Sequence, residues 1–366
     1  MFSLVCLVLF SACDAKDVTA PEVEPVDWEE LKITAKVAKW HDGKSAAVSL
    51  TYDAPWHSDP LIVQAGKDAI ERGLSMSYEF VTASYTDYPE LIRTMQEELL
   101  PLGIGFYGHG HEHENFDDQD YNYSYESFLK CYDYMKSWGL NPKGYAYPHG
   151  KGFESTTRLA NMNAGFICAR GLTFLSNDNF ICADDRKEPY TWFYLPSISV
   201  ASDIDGYVND HGMMSDVFAE NLEREAWIII MYHSLGFPDS WGYYPYDDYL
   251  ADINEIAESD VWCATMSDVA CYVKERNMFI FADKAVEQSE RYVDYMITLW
   301  DGLDNDVFDQ PLTVDLSFDF PDSIRHVEFD LPNYENDSFE VSANSLRLEL
   351  LPDEKKHLLR LYLDKQ

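Results

Sequence analysis

The stretch YGHGHEHENF, residues 107–116, places His109, His111 and His113 on alternate positions. Imidazole binds zinc and its neighbours and moves protons near neutral pH, so the run is either a metal grip or a decorated loop. Side chains two apart share a face of a strand, and side chains four apart share a face of a helix. His109 and His113 therefore converge in either geometry. Three further residues of the same chemical kind stand alone in apolar surroundings: Asp53 closes AAVSLTYD, His149 sits in the turn Pro148-His149-Gly150 after KGYAY, and His233 follows WIIIMY. Singly, each has an ordinary explanation, as a cap, a turn residue or a hydrogen-bonded core histidine. Jointly they describe one site, provided the fold brings them together.

The elements around them say how that would happen. AAVSLTYD, SMSYEFVTA, IGFYGHG, KGYAYPHG, FICARG, YLPSISV, WIIIMYHS and DVWCATM read as short buried strands. Helix-like segments separate them, among them YPELIRTMQEELLPLG, whose Leu91, Ile92, Met95 and Leu99 form one stripe, and a last helix that Ser267 is placed to cap. Seven or eight such units in about 240 residues predict an α/β fold, a distorted (β/α) barrel or an open doubly wound sheet. Asp53, His109, the Pro148-His149-Gly150 turn and His233 each fall at the C-terminal end of a predicted strand. There, parallel α/β sheets assemble their sites.

The 366 residues exceed one average domain. With 27 basic and 65 acidic residues the formal charge is −38, which excludes nucleic acid and anionic lipid surfaces as partners and favours neutral or cationic ones. The same charge also serves plain solubility. The N-terminal MFSLVCLVLFSAC is too short to span a bilayer and suits a signal peptide, with Phe10-Ser11-Ala12-Cys13 resembling a bacterial lipoprotein cleavage box. Residues 1–13 are read as that signal and 14–30 as an acidic tether, so the protein is expected in the cell envelope, exported, held to membrane only by lipid on Cys13; cleavage elsewhere with Cys13 unmodified stays open. Cys131, Cys168, Cys182, Cys263 and Cys271 then remain, an odd number without a CxxC pair. A Cys168–Cys182 bridge is possible in an oxidising compartment, and buried thiols are expected otherwise.

Beyond residue 305 the apolar period drops to two: Leu312, Val314, Leu316 and Phe318, then Val327, Phe329 and Leu331, then Leu346, Leu348 and Leu350, then Leu359, Leu361 and Leu363. The predicted organisation is a barrel over residues 31–282, a connecting helix over 283–304 carrying Val286, Tyr292, Val293, Tyr295 and Met296, and a small antiparallel β domain over 305–366.

The ordered series of strand-end motifs resembles the polysaccharide deacetylases of carbohydrate esterase family four, over roughly residues 38 to 277. SLTYDAP is similar to the family's first motif, HGHEH to its second, AYPHG to its third and IIIMYH to its last; VWCATMSDVACYVKERN resembles its closing strand and helix. The resemblance implies Asp53 as catalytic base, His233 as catalytic acid, His109 and His113 as ligands of a divalent metal, zinc for preference. Tyr147, Pro148 and His149 become a groove wall that offers a backbone N–H to an oxyanion, and Met231 the apolar residue before the acid. Two positions depart from the pattern: Ala54 stands where a metal-binding Asp is expected, and Ala146 where an Arg orients the base. Catalytic zinc commonly takes three protein ligands plus water. The motif here supplies two, with His57, Asp59 and His111 as candidates for the third.

The reaction implied is hydrolytic removal of N- or O-acetyl groups from a neutral glycan. A metal would polarise the carbonyl and acidify water, Asp53 would take the proton and His233 would deliver one to the leaving group. Trp241 in WGYYPY and the rings of YNYSYESF stand beside the site as candidate sugar platforms, or as packing. Arg170, Asp203 and Asp205 are possible supporting groups. A second class of reading, a degenerate relative that binds glycan without turnover, follows from Ala54 and Ala146.

Overall fold

The structure, a computed structural model, describes residues 32–53, 61–86, 89–184, 186–289, 291–319 and 323–364. The expected signal and tether (1–30), together with Ala54, His57 and Asp59, lie outside the described residues. Strand β1 (Lys32–Val37) leads into the parallel strands β2 (Ala46–Asp53), β3 (Met76–Phe80), β4 (Gly105–Gly108), β5 (Gly144–Ala146), β6 (Cys168–Arg170), β7 (Ile198–Ser199) and β8 (Trp227–Tyr232). The seven from β2 to β8 lie in the order β6-β5-β4-β3-β2-β8-β7, and isolated parallel bridges Arg170–Leu195 and Thr173–Ile198 link the two edges. The sheet thus curls into the expected distorted barrel. Two-residue strands β9 (Ser234–Leu235) and β10 (Tyr243–Tyr244) pair just beyond β8, and β11 (Val261–Cys263) joins the first half of β2.

Every residue of β2, β3 and β8 is buried. That is the pattern of parallel strands covered on both faces, and it explains why AAVSLTYD and WIIIMY lack clean alternation. The cover comes from α1 (Ile62–Glu71), α2 (Thr82–Thr86), α3 (Pro89–Glu98), α4 (Tyr121–Ser137), α5 (Ser155–Asn163), α6 (His211–Glu223), α7 (Tyr246–Glu258) and α8 (Met266–Met278). Asp120 caps α4 through the amide of Tyr123 at 2.9 Å. The cap of α8 is Thr265, not Ser267; the Ser267 amide donates to the Tyr107 hydroxyl at 2.9 Å instead. Gly108 closes β4 because a Cβ there would meet the Tyr145 ring at 2.8 Å and the Cys131 sulfur at 3.0 Å. That close packing brings His109 onto the sheet's end.

The remaining strands are β12 (Ile280–Gln288), β13 (Tyr292–Trp300), β14 (Leu312–Asp319), β15 (Ser323–Phe329), β16 (Ser338–Glu340), β17 (Ser345–Leu350) and β18 (Lys356–Asp364). They form a two-sheet sandwich, β1-β14-β17 against β12-β13-β18-β15-β16, around one apolar core. Two expectations need correction. The connecting helix at 283–304 is the antiparallel hairpin β12–β13, in which Val293, Tyr295, Ile297 and Leu299 are buried on one face. A two-residue period and a helical stripe share positions over so short an apolar run, and β-branched and aromatic residues decide it for strand. The N-terminal strand β1, assigned to the barrel, pairs with β14 of the sandwich, Ile33 opposite Phe318 and Val37 opposite Val314. Cys131, Cys168, Cys182, Cys263 and Cys271 are all free thiols, so Cys168 and Cys182 do not pair. Among the described residues, no helix is long and apolar enough to cross a membrane.

Candidate functional site

The C-terminal ends of the barrel strands surround a cavity of about 810 Å³. Asp53 from β2, His109 and His113 from the loop after β4, His149 from the turn after β5 and His233 after β8 all line it, joined by Val81, Ser84, Tyr85, Glu112, Leu172, Tyr207, Ser240 and Trp241. The strand-end residues singled out in the sequence are therefore assembled in one place, as parallel topology requires.

At its floor, Asp53 is 6% exposed and lies between His109 and Arg170. His109 Nε2 stands 3.0 Å from Oδ1, and Arg170 Nη2 stands 3.2 Å from Oδ2. Arg170 is fully buried; its Nε donates to Glu79 Oε1 at 2.8 Å, its Nη2 also meets Glu79 Oε2, and Nη1 reaches the Gly171 carbonyl at 3.3 Å. Burial alone would raise the Asp53 carboxyl, but neighbouring positive charge, permanent on Arg170, outweighs it and holds it well below the usual carboxylate range. Burial moves Glu79 the other way, up to about 7, with Asp53 adding to the rise and Arg170 opposing it. One guanidinium thus serves two carboxylates unequally. Ala146, where an Arg was expected, faces Arg170 in the β5–β6 register, so the guanidinium comes from the adjacent strand at the same level.

His109 Nδ1 is 3.0 Å from the Ala146 carbonyl, which only accepts, so that nitrogen carries the proton. Burial depresses the imidazole to about 3 against the pull of Asp53, so the ring stays neutral and Nε2 offers a lone pair. Facing that lone pair is Asp53 Oδ1, buried and without a hydrogen-bond partner. Two electron pairs at this separation call for a positive centre between or beside them. An imidazole fixed by a backbone carbonyl, next to an unsatisfied carboxylate oxygen, is the donor chemistry of a divalent-metal site. The His113 ring lies 5.0 Å from that of His109 and 4.5 Å from that of His149. Among the described residues, no three His, Cys, Asp or Glu side chains form a ready cage. The residues present fit a metal held through His109 and His113, with the third ligand unassigned.

His111 is not that ligand. Its Nδ1 is 2.9 Å from the Thr82 hydroxyl and its ring stacks on Tyr134 at 5.2 Å, which makes it a buried brace between α2 and α4. His113 and His149 both hold left-handed backbone, φ 63° and 57°. Strain of this kind in non-glycine residues collects at functional sites, and here both strained residues face the cavity.

At the opposite wall, His233 Nδ1 is 2.9 Å from the Ser234 hydroxyl, which itself donates to the Trp241 carbonyl at 2.9 Å. Ser234 therefore accepts from Nδ1, and the histidine tautomer is set. Trp241 meets the His233 ring edge-on at 4.8 Å and is 51% exposed. Of the expected substrate-binding residues, His149 and Trp241 line the cavity. Tyr147, Pro148 and Met231 do not: each is buried, Tyr147 against Phe128 and Tyr194. Leu172, Tyr207 and Glu112 line the cavity without having been singled out. Asp203 and Asp205 stay exposed on the loop before Tyr207.

No family model and no curated protein matches the sequence. Among solved structures, the chain is similar to a protein from Mycobacterium smegmatis assigned to the polysaccharide deacetylases, at 16% identity, with 71% of this chain and 100% of that one covered and a TM-score of 0.46. It is also similar to a family 4 carbohydrate esterase from Streptomyces lividans solved with acetate, at 14% identity, 61% and 94% coverage and a TM-score of 0.38. A family 4 pseudoenzyme from Bacillus anthracis is similar at 8% identity, 63% and 66% coverage and a TM-score of 0.40.

Proposed function

We propose that this chain hydrolyses acetyl groups from a glycan, with Asp53 as base and His233 as acid on either side of the cavity. The observation that carries the reading is the unpartnered Oδ1 of Asp53, buried at the floor and facing a histidine lone pair. Arg170 keeps the carboxylate ionised and fixes its other oxygen, so Oδ1 is the atom that accepts a proton from water. The water oxygen bonds to the acetyl carbon. When the resulting tetrahedral adduct collapses, the carbon–nitrogen or carbon–oxygen bond breaks, and His233, entering this step as the imidazolium, gives its Nε2 proton to the leaving atom and is left as the Nδ1–H tautomer that Ser234 holds. The products are acetate and an amine or alcohol. His109 and His113 would hold a divalent metal, zinc for preference, which when bound supplies Lewis acidity toward water and carbonyl. Trp241 and Tyr207 offer ring faces to the sugar. Residues 1–13 would place this activity in the cell envelope, tethered through Cys13.

A second reading, glycan binding without turnover, is favoured by Ala54, whose methyl group cannot ligate. Acetate release from acetylated chito-oligosaccharides and acetylxylan, measured with added zinc, separates the two. Asp53→Asn is expected to lower the rate about 10²- to 10⁴-fold while glycan affinity persists. Unchanged glycan binding by a wild-type protein that releases no acetate from either substrate would establish the second reading.

A further inference from the structure

Resting on the hydrolase reading and its metal at His109 and His113, we infer that Glu114 is a positioning residue for His113: its carboxylate holds the turn that presents this imidazole to a divalent cation. The backbone shows why such a hold is needed. His109 continues the sheet, its amide donating to the Phe80 carbonyl at 2.8 Å, and the first turn of α2 engages the next two carbonyls, Thr82 N to Gly110 O at 3.1 Å and Ala83 N to His111 O at 2.8 Å. At the far end Phe116 is fully buried, its ring 4.3 Å from that of Phe128. Residues 112–115 lie between these anchors and belong to no helix or strand. His113 falls among them with left-handed backbone, φ 63°, a conformation that a residue with a side chain keeps only where its surroundings impose it.

Glu114 supplies that constraint. Its Oε2 accepts the Glu112 amide at 3.1 Å, and its Oε1 accepts the Ser127 hydroxyl of α4 at 2.5 Å. Ser127 is buried, so one carboxylate ties the residue before His113 to the helix behind the loop. The same oxygen accounts for the glycine at the start of the turn. A Cβ on Gly110 would stand 2.8 Å from Oε2, and Gly110 holds φ 81°, so the carboxylate occupies space that a side chain would need. His113 is thus held between two residues that the Glu114 side chain joins, while its own ring lines the cavity, 5.0 Å from that of His109 and 4.5 Å from that of His149. Each oxygen of Glu114 already accepts a bond from the protein, which assigns the carboxylate to holding a ligand rather than to the ligand set. Metal affinity depends on such support, because an imidazole that must be ordered on binding loses part of the interaction to that ordering.

Calorimetric zinc titration of the full chain tests the inference, with thermal melts of the metal-free proteins confirming that each variant is folded at the temperature used. Glu114→Ala is expected to weaken zinc binding about 10- to 100-fold. Glu114→Gln keeps the side-chain length; its carbonyl can accept the Glu112 amide while its NH2 group donates to the Ser127 hydroxyl, so its affinity should lie closer to wild type than to Glu114→Ala. In the metal-free protein, the Glu112 amide should exchange faster in Glu114→Ala than in wild type. Unaltered zinc affinity in Glu114→Ala overturns the inference and leaves the metal reading standing. A loss in Glu114→Gln as large as that in Glu114→Ala also overturns it, since the carboxylate would then act by its charge or as a ligand. Should Glu114→Ala fail to fold, Ser127→Ala removes the tie to α4 alone and is expected to weaken zinc binding by about ten-fold, the lower end of the same range; unchanged affinity there overturns the inference too. A wild-type chain that binds no zinc at all refutes the metal reading and this inference with it, a pattern distinct from every outcome above.

Discussion

Arg170→Met asks how much the site floor depends on one guanidinium. The side chain is fully buried and makes charged contacts to Glu79 and Asp53, at 2.8 Å for Nε to Glu79 and 3.2 Å for Nη2 to Asp53. Removing one partner of a buried ion pair costs about 3–5 kcal/mol, most of it the penalty on the charge left behind. Here two carboxylates are left behind, but Glu79 is already pushed up to about 7, so at pH 7 it takes a proton cheaply. The loss is therefore expected near the lower bound, about 3 kcal/mol, in urea unfolding at that pH. A group whose folded pKa lies above its unfolded value destabilises as pH rises through that window. The deficit of Arg170→Met should accordingly shrink at pH 5 and grow toward pH 8. Glu79→Gln in the same background removes the stranded charge and should recover at least about 1 kcal/mol beyond additivity. A loss under about 1 kcal/mol, with additive effects at every pH, would refute the claim that Arg170 holds these carboxylates. The reaction gives a second readout: acetate release should fall with Arg170→Met even where the fold is intact, because Oδ2 of Asp53 loses its anchor.

Zinc titration by calorimetry should give binding that disappears in His109→Ala and persists in His111→Ala, whereas His111→Ala should lower stability by about 1–3 kcal/mol through its lost Thr82 contact and ring packing; loss of zinc binding in His111→Ala would place that ring in the metal site after all. Glu275, buried in α8 and accepting from the Gln310 amide at 3.2 Å, is pushed by burial to about 8 from an ordinary 4.5. Its folded pKa is raised, so stability is fullest below 4.5 and falls as pH climbs to 8. Glu275→Gln keeps an acceptor for Gln310 and should raise the melting temperature by several degrees at pH 8, with the gain vanishing near pH 4; no gain at pH 8 would mean that this carboxylate is not buried as charge.

The legible and illegible parts of the site divide by sequence distance. Asp53, His109, His149 and His233 could be found because each ends a strand of apolar residues, and parallel strands deliver their ends to one face. The floor beneath them could not. Glu79 sits in SMSYEFVTA, where an acidic residue in a strand ordinarily marks the solvent face, and its partner Arg170 lies 91 residues away. Nothing local couples them. His111 shows the converse error of reading spacing without path: Gly110, at φ 81°, turns the chain, so adjacent histidines of one motif face different layers. Tyr147 and Met231 stand two positions before His149 and His233, a spacing that shares a face along a strand, but β5 ends at Ala146 and β8 at Tyr232, so the period does not carry through to the histidines.

The same distance argument explains how a site can depart from a sequence pattern and keep its charge. The resemblance led to an expected guanidinium at position 146; this chain has Ala146 there and carries a guanidinium on Arg170, its register partner one strand away. Ala146 is not idle in exchange. Its carbonyl fixes His109 Nδ1 at 3.0 Å, which leaves Nε2 toward Asp53. A second cation at Ala146 would stand beside Arg170, where like charges repel at buried distance, so the small residue and the relocated Arg make sense only as a pair. The new position also demanded a counter-charge, since Asp53 takes only one contact from Arg170. Glu79 provides it from β3, and its raised pKa lets that charge be neutralised without moving the Arg. On the proposed reading a third metal ligand has to come from elsewhere than position 54, and zinc affinity in the wild-type protein comparable to that of a three-ligand site is the result expected from calorimetry.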